Sequence, residues 1–261
     1  MRYPAANLHD DTYQPGADWS LVWADEFERA TIDPNNWSFQ EEEAGRFNEE
    51  WQRYTRSNTN AYIDKNCLVI KAVHESDDHG LAQYSSARLH TAGKQSWQFG
   101  KIAARIQLPC GQGIWPAFWM LGANIDENGG DTPWPQCGEI DILELYGSKD
   151  DAVVEANLHY VLRSGKAASM GAKSFKLDRG VFADAFHVFE LEWSASKIAW
   201  SVDGQQFASM PIDSDDFEAL RKEFFILLNI AVGGRHAGRP NATTTFPQFM
   251  YIDWVRVYHR N

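Results

Sequence analysis

The sequence predicts an all-β fold, an antiparallel sandwich or jelly roll, on three observations. β-Branched and aromatic runs recur along the whole chain, a single segment reads as helix, and an Asp-Gly pair joins two of the runs. Residues 101–108 alternate, with Ile102, Ala104, Ile106 and Leu108 on one face and Lys101, Ala103, Arg105 and Gln107 on the other. Residues 68–73, 153–160, 187–193, 224–232 and 251–258 are further runs of this kind. Residues 197–202 and 205–210 flank Asp203-Gly204, a two-residue hairpin signal because that pair accepts positive φ. Residues 214–224 read as the one helix, with Ser214 as N-cap, Asp215 and Asp216 at the positive end of the dipole, and Arg221 and Lys222 at the other. Residues 162–180, rich in Ser, Gly, Ala and Lys, read as a long loop bordering a site. Neither a linker nor a repeat divides the chain, so residues 1–261 are expected to form one domain.

Composition narrows the function classes. The net charge of −12, without a basic run, opposes binding to phosphate backbones, so no nucleic-acid partner is expected. The longest apolar run, 224–232, is broken by Asn229 and too short to cross a bilayer, so no membrane partner is expected either. Three cysteines without a CxxC pair make neither a disulfide framework nor a zinc site, though one disulfide beside a free thiol stays open. HExxH, GxSxG, GxGxxG and P-loop patterns are absent, which removes the commonest protease, esterase and nucleotide chemistries. The start of the chain lacks the apolar stretch of a signal peptide.

The segment 139–145, Glu-Ile-Asp-Ile-Leu-Glu-Leu, carries the chemistry. On a regular strand Glu139 and Asp141 share a face, whereas Glu144, an odd step away, would enter the core. An unpaired carboxylate buried there costs several kcal/mol. A β-bulge near Ile142-Leu143 restores the parity and brings all three acids to one face. Converging carboxylates raise at least one pKa, the environment in which one acid attacks a sugar while another stays protonated to release the leaving oxygen. An exposed acidic strand face and a calcium or magnesium cluster are the competing readings of this spacing. The run 114–121 supplies a partner, since Trp115 and Trp119 share parity while Phe118 and Met120 face the core. Indoles make flat platforms for sugar C–H faces, and Trp134 and Trp51 are candidates to extend the wall. His159, at the end of the 153–160 strand, is placed to hydrogen-bond within the acidic cluster.

Several of these segments resemble glycoside hydrolase family 16, in its laminarinase-type (endo-β-1,3-glucanase) branch. They are Trp-Pro-Ala-Phe-Trp-Met-Leu-Gly at 115–122, the acidic hexad at 139–144, and the run from Phe225 ending in Asn-Ile-Ala-Val-Gly-Gly at Gly234. The likeness starts at 23–27, passes through 48–55 and 86–88, and ends at 251–258. It implies a β-jelly-roll sandwich of two antiparallel sheets with a concave substrate cleft and a retaining double displacement. Glu139 would be the nucleophile, Glu144 the acid/base, and Asp141 the group that hydrogen-bonds the nucleophile. Asn48, Arg88, Trp115, Trp119, Trp134 and His159 would touch sugar. The substrate implied is β-1,3-glucan of the laminarin type or mixed β-1,3-1,4-glucan. A galactan of the agar or carrageenan type, or binding without turnover, is the alternative. No cofactor is required for catalysis. Many members hold a structural calcium, for which Glu26, Gly45 and Asp253 are the positions here. A secreted, extracellular monomer acting on polysaccharide is expected, its signal peptide not present in this chain. Where the family usually has Trp-Pro-Gly after Gly-Gly, this chain has Arg235-His236-Ala237-Gly238, so one cleft-rim aromatic is missing.

Overall fold

Alternation along the runs sorts side chains into core and surface, and the computed structural model, which describes residue 10, residues 12–76 and residues 82–261, follows it closely. In chain order the strands are β1 (Trp19–Asp25), β2 (Ser38–Phe39), β3 (Gln52–Tyr54), β4 (Ala61–Asp64), β5 (Cys67–Ser76) and β6 (Ala82–Ser86). Next come β7 (Arg88–His90), β8 (Gly100–Gln107), β9 (Ile114–Gly122), β10 (Glu139–Glu144), β11 (Val153–Val161) and β12 (Ala167–Ser169). The chain finishes with β13 (Lys173–Lys176), β14 (His187–Trp193), β15 (Lys197–Val202), β16 (Gln205–Pro211), β17 (Phe224–Val232) and β18 (Gln248–Arg260).

The strands build two stacked sheets, as the sandwich expectation requires. The outer sheet runs β16-β15-β14-β8-β18-β5-β6-β3, with β1 on β18 and β4 on β5. The inner sheet runs β12-β11-β10-β9-β17-β7-β2, with β13 on β11. Between them lies one apolar core. Ile102, Ala104 and Ile106 enter it from β8, Phe118 and Met120 from β9, and Ile226, Leu228 and Ile230 from β17. β17 is buried on both faces, because Phe225 and Leu227 pack with Leu121, Ile125 and Cys137 on the other side. That double burial explains its nearly unbroken apolar sequence. Asp203 and Gly204 take the left-handed conformation at the β15–β16 hairpin, with φ of 49° and 76°.

Two expectations change, and the state of the cysteines is resolved. Residues 214–224 do not form a helix. They make two 3-10 turns, Asp215–Phe217 and Ala219–Arg221, and Phe224 already opens β17. Charges at the two ends suit a helix, but Leu220 is the one buried side chain in the turns, too little for an apolar stripe. Ser214 caps nothing, and the Arg221 guanidinium donates to the carbonyls of Ile212 and Ser214. Residues 162–180 carry β12 and β13, both paired with β11. All three cysteines are free thiols, Cys67 and Cys137 buried. Among the described residues no helix is long and apolar enough to cross a membrane.

Candidate active site

The inner sheet carries its acids on a bulge in β10. Against β9, Asp141 pairs with Trp119 but Leu143 pairs with the very next residue back, Phe118, so Ile142 is supernumerary. Against β11 the register also slips, from Asp141↔Asn157 to Glu144↔Glu155. Ile140, Ile142 and Leu143 all enter the core, and Glu139, Asp141 and Glu144 all line one cleft of about 500 Å³. A bulge frees buried backbone groups that need partners. The Asp141 carbonyl finds one across the core, accepting the indole N–H of the fully buried Trp200 on β15 at 2.9 Å.

Each terminal glutamate is held by its own indole. Trp134 Nε1 donates to Glu139 at 3.0 Å, and Trp115 Nε1 donates to Glu144 at 2.9 Å. Burial is the main force on all three carboxyls and pushes each above the usual carboxylate range. The negative charge of Glu144 adds to the rise of Glu139 and Asp141, and that of Glu155 adds to the rise of Glu144. Opposing this, the Trp134 N–H and the positive charge of Arg88 favour ionised Glu139. Tyr146 and Trp115 do the same for Glu144 by hydrogen bonding. Asp141 is buried, and its Oδ2 accepts no hydrogen bond from the described residues. His159 Nε2 stands 3.7 Å from Glu139 Oε1 and 3.6 Å from Asp141 Oδ2. Burial, then the charge of His236, holds His159 below its ordinary value, so it is a neutral hydrogen-bonding group at pH 7. Glu139, Asp141 and His159 offer three ligand atoms within 4.8 Å of one another, yet His159 Nε2 already lies 3.0 Å from the Asn157 amide. Glycoside hydrolysis by paired carboxyls needs no metal or other cofactor.

All six residues expected to touch sugar line this same cleft: Asn48, Arg88, Trp115, Trp119, Trp134 and His159. Arg88 is buried between the rings of Phe47 and Trp119, at 4.6 and 4.7 Å from their centroids. Its Nε has no acceptor among the described residues. Trp134 joins the wall as expected, whereas Trp51 stands outside the lining. Glu50, Tyr54, Asn229 and Tyr146, which the sequence reading did not assign to the site, also line the cleft, as does His236. Trp119 Nε1 donates to Asn229 Oδ1 at 2.8 Å, and Asn229 donates to the Tyr54 hydroxyl at 3.2 Å. The signal for Asn229 was available, since a lone amide in a buried apolar strand needs polar neighbours. His236, in the segment that stands where the family usually has Trp-Pro-Gly, meets Trp115 edge-on at 5.3 Å.

Both acids among the calcium positions already hold arginine partners. Arg256 donates to both carboxylate oxygens of Glu26, at 2.7 and 2.8 Å, and Arg105 donates to Asp253 at 2.8 Å. Glu26 directly follows β1 and Asp253 lies on β18, while Gly45 sits beside the cleft residue Arg46, its N–H on the Glu50 carbonyl. Two guanidiniums already neutralise the carboxylates, so these two side chains do not fit a calcium site.

Similarity to known proteins agrees with this geometry. The family model described as glycosyl hydrolases family 16 matches residues 46–256. The laminarinase catalytic domain of Thermotoga maritima superposes with a TM-score of 0.81 at 40% identity, covering 94% of this chain and 99% of that one. A β-glucanase of Rhodothermus marinus is 35% identical over 96% of this chain and 89% of its own length. A glucan endo-1,3-β-glucosidase A1 of Niallia circulans is 32% identical over 93% of this chain, which spans 38% of that longer protein. With the matched region enclosing the bulged acidic strand, the indoles that hold it and the cleft, the chain belongs to family 16 of the glycosyl hydrolases.

Proposed function

We propose that the protein is a retaining endo-β-1,3-glucanase that cuts laminarin-type chains and, as a second substrate, mixed β-1,3-1,4-glucan. One observation carries the reading: the bulge in β10 turns two glutamates and an aspartate into a single buried cleft. The relatives named above act on glucans, and the indole-walled cleft suits the flat faces of a neutral sugar chain.

In this reading Glu139 attacks the anomeric carbon while Glu144 passes its proton to the departing glycosidic oxygen. A glycosyl ester on Glu139 forms and the bond to the leaving sugar breaks. Glu144, now ionised, takes a proton from water. That water attacks the same carbon, and Glu139 leaves as a carboxylate. Burial raises both carboxyls, and the charge of Glu144 raises Glu139 further, so the pair holds the proton that the double displacement needs on Glu144 in its first step. Asp141, buried between them, keeps a proton to share with the nucleophile. Asn48, Arg88, Trp115, Trp119, Trp134 and His159 hold the sugars. Residues 1–261 act as one catalytic domain, as a monomer, outside the cell where a polymeric substrate is met.

The test is incubation of the pure protein with laminarin, mixed-linkage glucan, agar and carrageenan. New reducing ends from laminarin, lost in Glu139→Ala, are expected, with the first product retaining its anomeric configuration by NMR. Cleavage of a galactan alone would reassign the substrate. An inverted first product would overturn the double displacement.

A further inference from the structure

We propose that Trp51 and the aromatic strip behind it form an outer platform that binds the distal sugars of a chain already lying in the cleft, a proposal that rests on the glucanase reading. Trp51 is 36% exposed, whereas Trp193 and Trp200 are fully buried in the two-sheet core. Gln52 and Tyr54 are buried, so Trp51 stands on the opposite parity, and it leaves apolar surface in water that a core position would have hidden. The ring is nonetheless firmly seated. The Trp51 backbone N–H donates to the carbonyl of Val232 at 2.7 Å, and the indole lies against Gly233, where a Cβ would fall 2.8 Å from its Cγ. Gly233 has a φ of 74°, so both conformation and space reserve that position for glycine.

Behind Trp51 the aromatic surface continues. Tyr84 is 5.9 Å from Trp51, and His74 and Phe246 are 4.9 and 5.2 Å from Tyr84. Above it the exposed Arg239 guanidinium lies 5.7 Å from the indole centroid and donates to no acceptor among the described residues. A flat ring beside unengaged N–H donors is the pairing that recognises a sugar, through its C–H face and its hydroxyls.

The occupant follows from continuity with the cleft. Glu50, which precedes Trp51, lines the cleft, and Gly234, which follows Gly233, packs on Asn48 and Glu50. The strip therefore begins where the cleft lining ends, and a bound polysaccharide longer than the cleft runs onto it. The net charge of −12 favours a neutral polymer over a polyanion there.

The test measures binding in the Glu139→Gln background, which prevents turnover, with laminaritriose and laminariheptaose, each with and without Trp51→Ala. Affinity for the heptaose should fall about tenfold and that for the triose less than twofold, within the range of one stacked ring. Trp51→Phe should restore most of the heptaose affinity, and melting temperatures should show each variant folded. Equal losses at both lengths, or none, would overturn the proposal. So would concentration-dependent association that Trp51→Ala abolishes, which would assign the strip to a second copy of the chain. If wild type leaves laminarin uncut, the glucanase reading fails by itself. The same two-length comparison then uses oligosaccharides of whichever polysaccharide it does cut, so the platform stands or falls separately.

Discussion

The two sheets treat buried carboxylates in opposite ways. On the outer sheet, Asp253 is fully buried but accepts from Arg105 at 2.8 Å, and Glu190 is buried beside Lys101 and accepts from the Tyr13 hydroxyl. On the inner sheet, Glu139, Asp141 and Glu144 lie in the cleft with indole N–H groups, a phenol and one another for company. Cations stand further off: Arg88 and Lys149 act on Glu139 and Glu144 through space, without a direct ion pair. An acid given a cation stays charged and serves as structure. An acid denied one holds its proton, and proton exchange is what glycoside hydrolysis demands. The contrast separates scaffold from chemistry without reference to any relative.

The strongest way to break the comparison is on the inner sheet. Glu144→Gln should slow unactivated β-glucan substrates by about 10²–10⁴-fold. Aryl glycosides with good leaving groups, which need no protonation, should be slowed far less. Equal losses on the two, in steady-state rates, would move the acid role elsewhere. On the outer sheet the damage should be to stability. Asp253→Ala leaves Arg105 without its buried partner and should cost about 3 kcal/mol in denaturant unfolding, with turnover per folded molecule preserved. Trp200→Phe, which joins the sheets, should strand the Asp141 carbonyl and cost roughly 1–3 kcal/mol. It should also lower the rate, which Asp253→Ala should not.

The smallest effect sharpens the comparison through pH. Carboxyls raised in the folded state contribute stability that is present below the ordinary carboxylate value, about pH 4, and lost as pH climbs through the folded-state value. Asp141→Asn removes one of these titrations. It should match wild type in acid and melt about 2–4 °C higher near pH 8, the shift that ~1 kcal/mol gives a domain of this size. A lower melting temperature at pH 8 would mean that Asp141 stabilises the fold as an anion, like its outer-sheet counterparts.

Sequence reading found what local patterns encode. Parity alone located the bulge, because Glu144 sat an odd step from Glu139, and the Asp203-Gly204 turn announced its own conformation. It failed where distant residues decide. The segment 214–224 satisfied the end-charge rules for a helix, but it lacked an apolar stripe and was pulled into turns by Arg221. Glu26 and Asp253 looked available to a cation until folding brought Arg256 and Arg105 onto them. Strand order within the sheets was out of reach for the same reason, since β8 lies between β14 and β18, partners far along the chain. Of the site, the acids and six residues that line the cleft with them were visible from motifs. Tyr146, two residues beyond Glu144, shares its face and could have been found by that step, whereas the packing of His236 on Trp115 was visible only in three dimensions.

The Trp200 hydrogen bond gives the two layers a common fastening directly beneath the acids. A convex-face substitution that displaces β15 by a fraction of an ångström will be felt at the scissile bond before it is felt in the melting curve. Among randomly mutated variants, those with altered turnover and ordinary heat resistance should therefore cluster around that indole, on the side of the molecule that never meets a sugar.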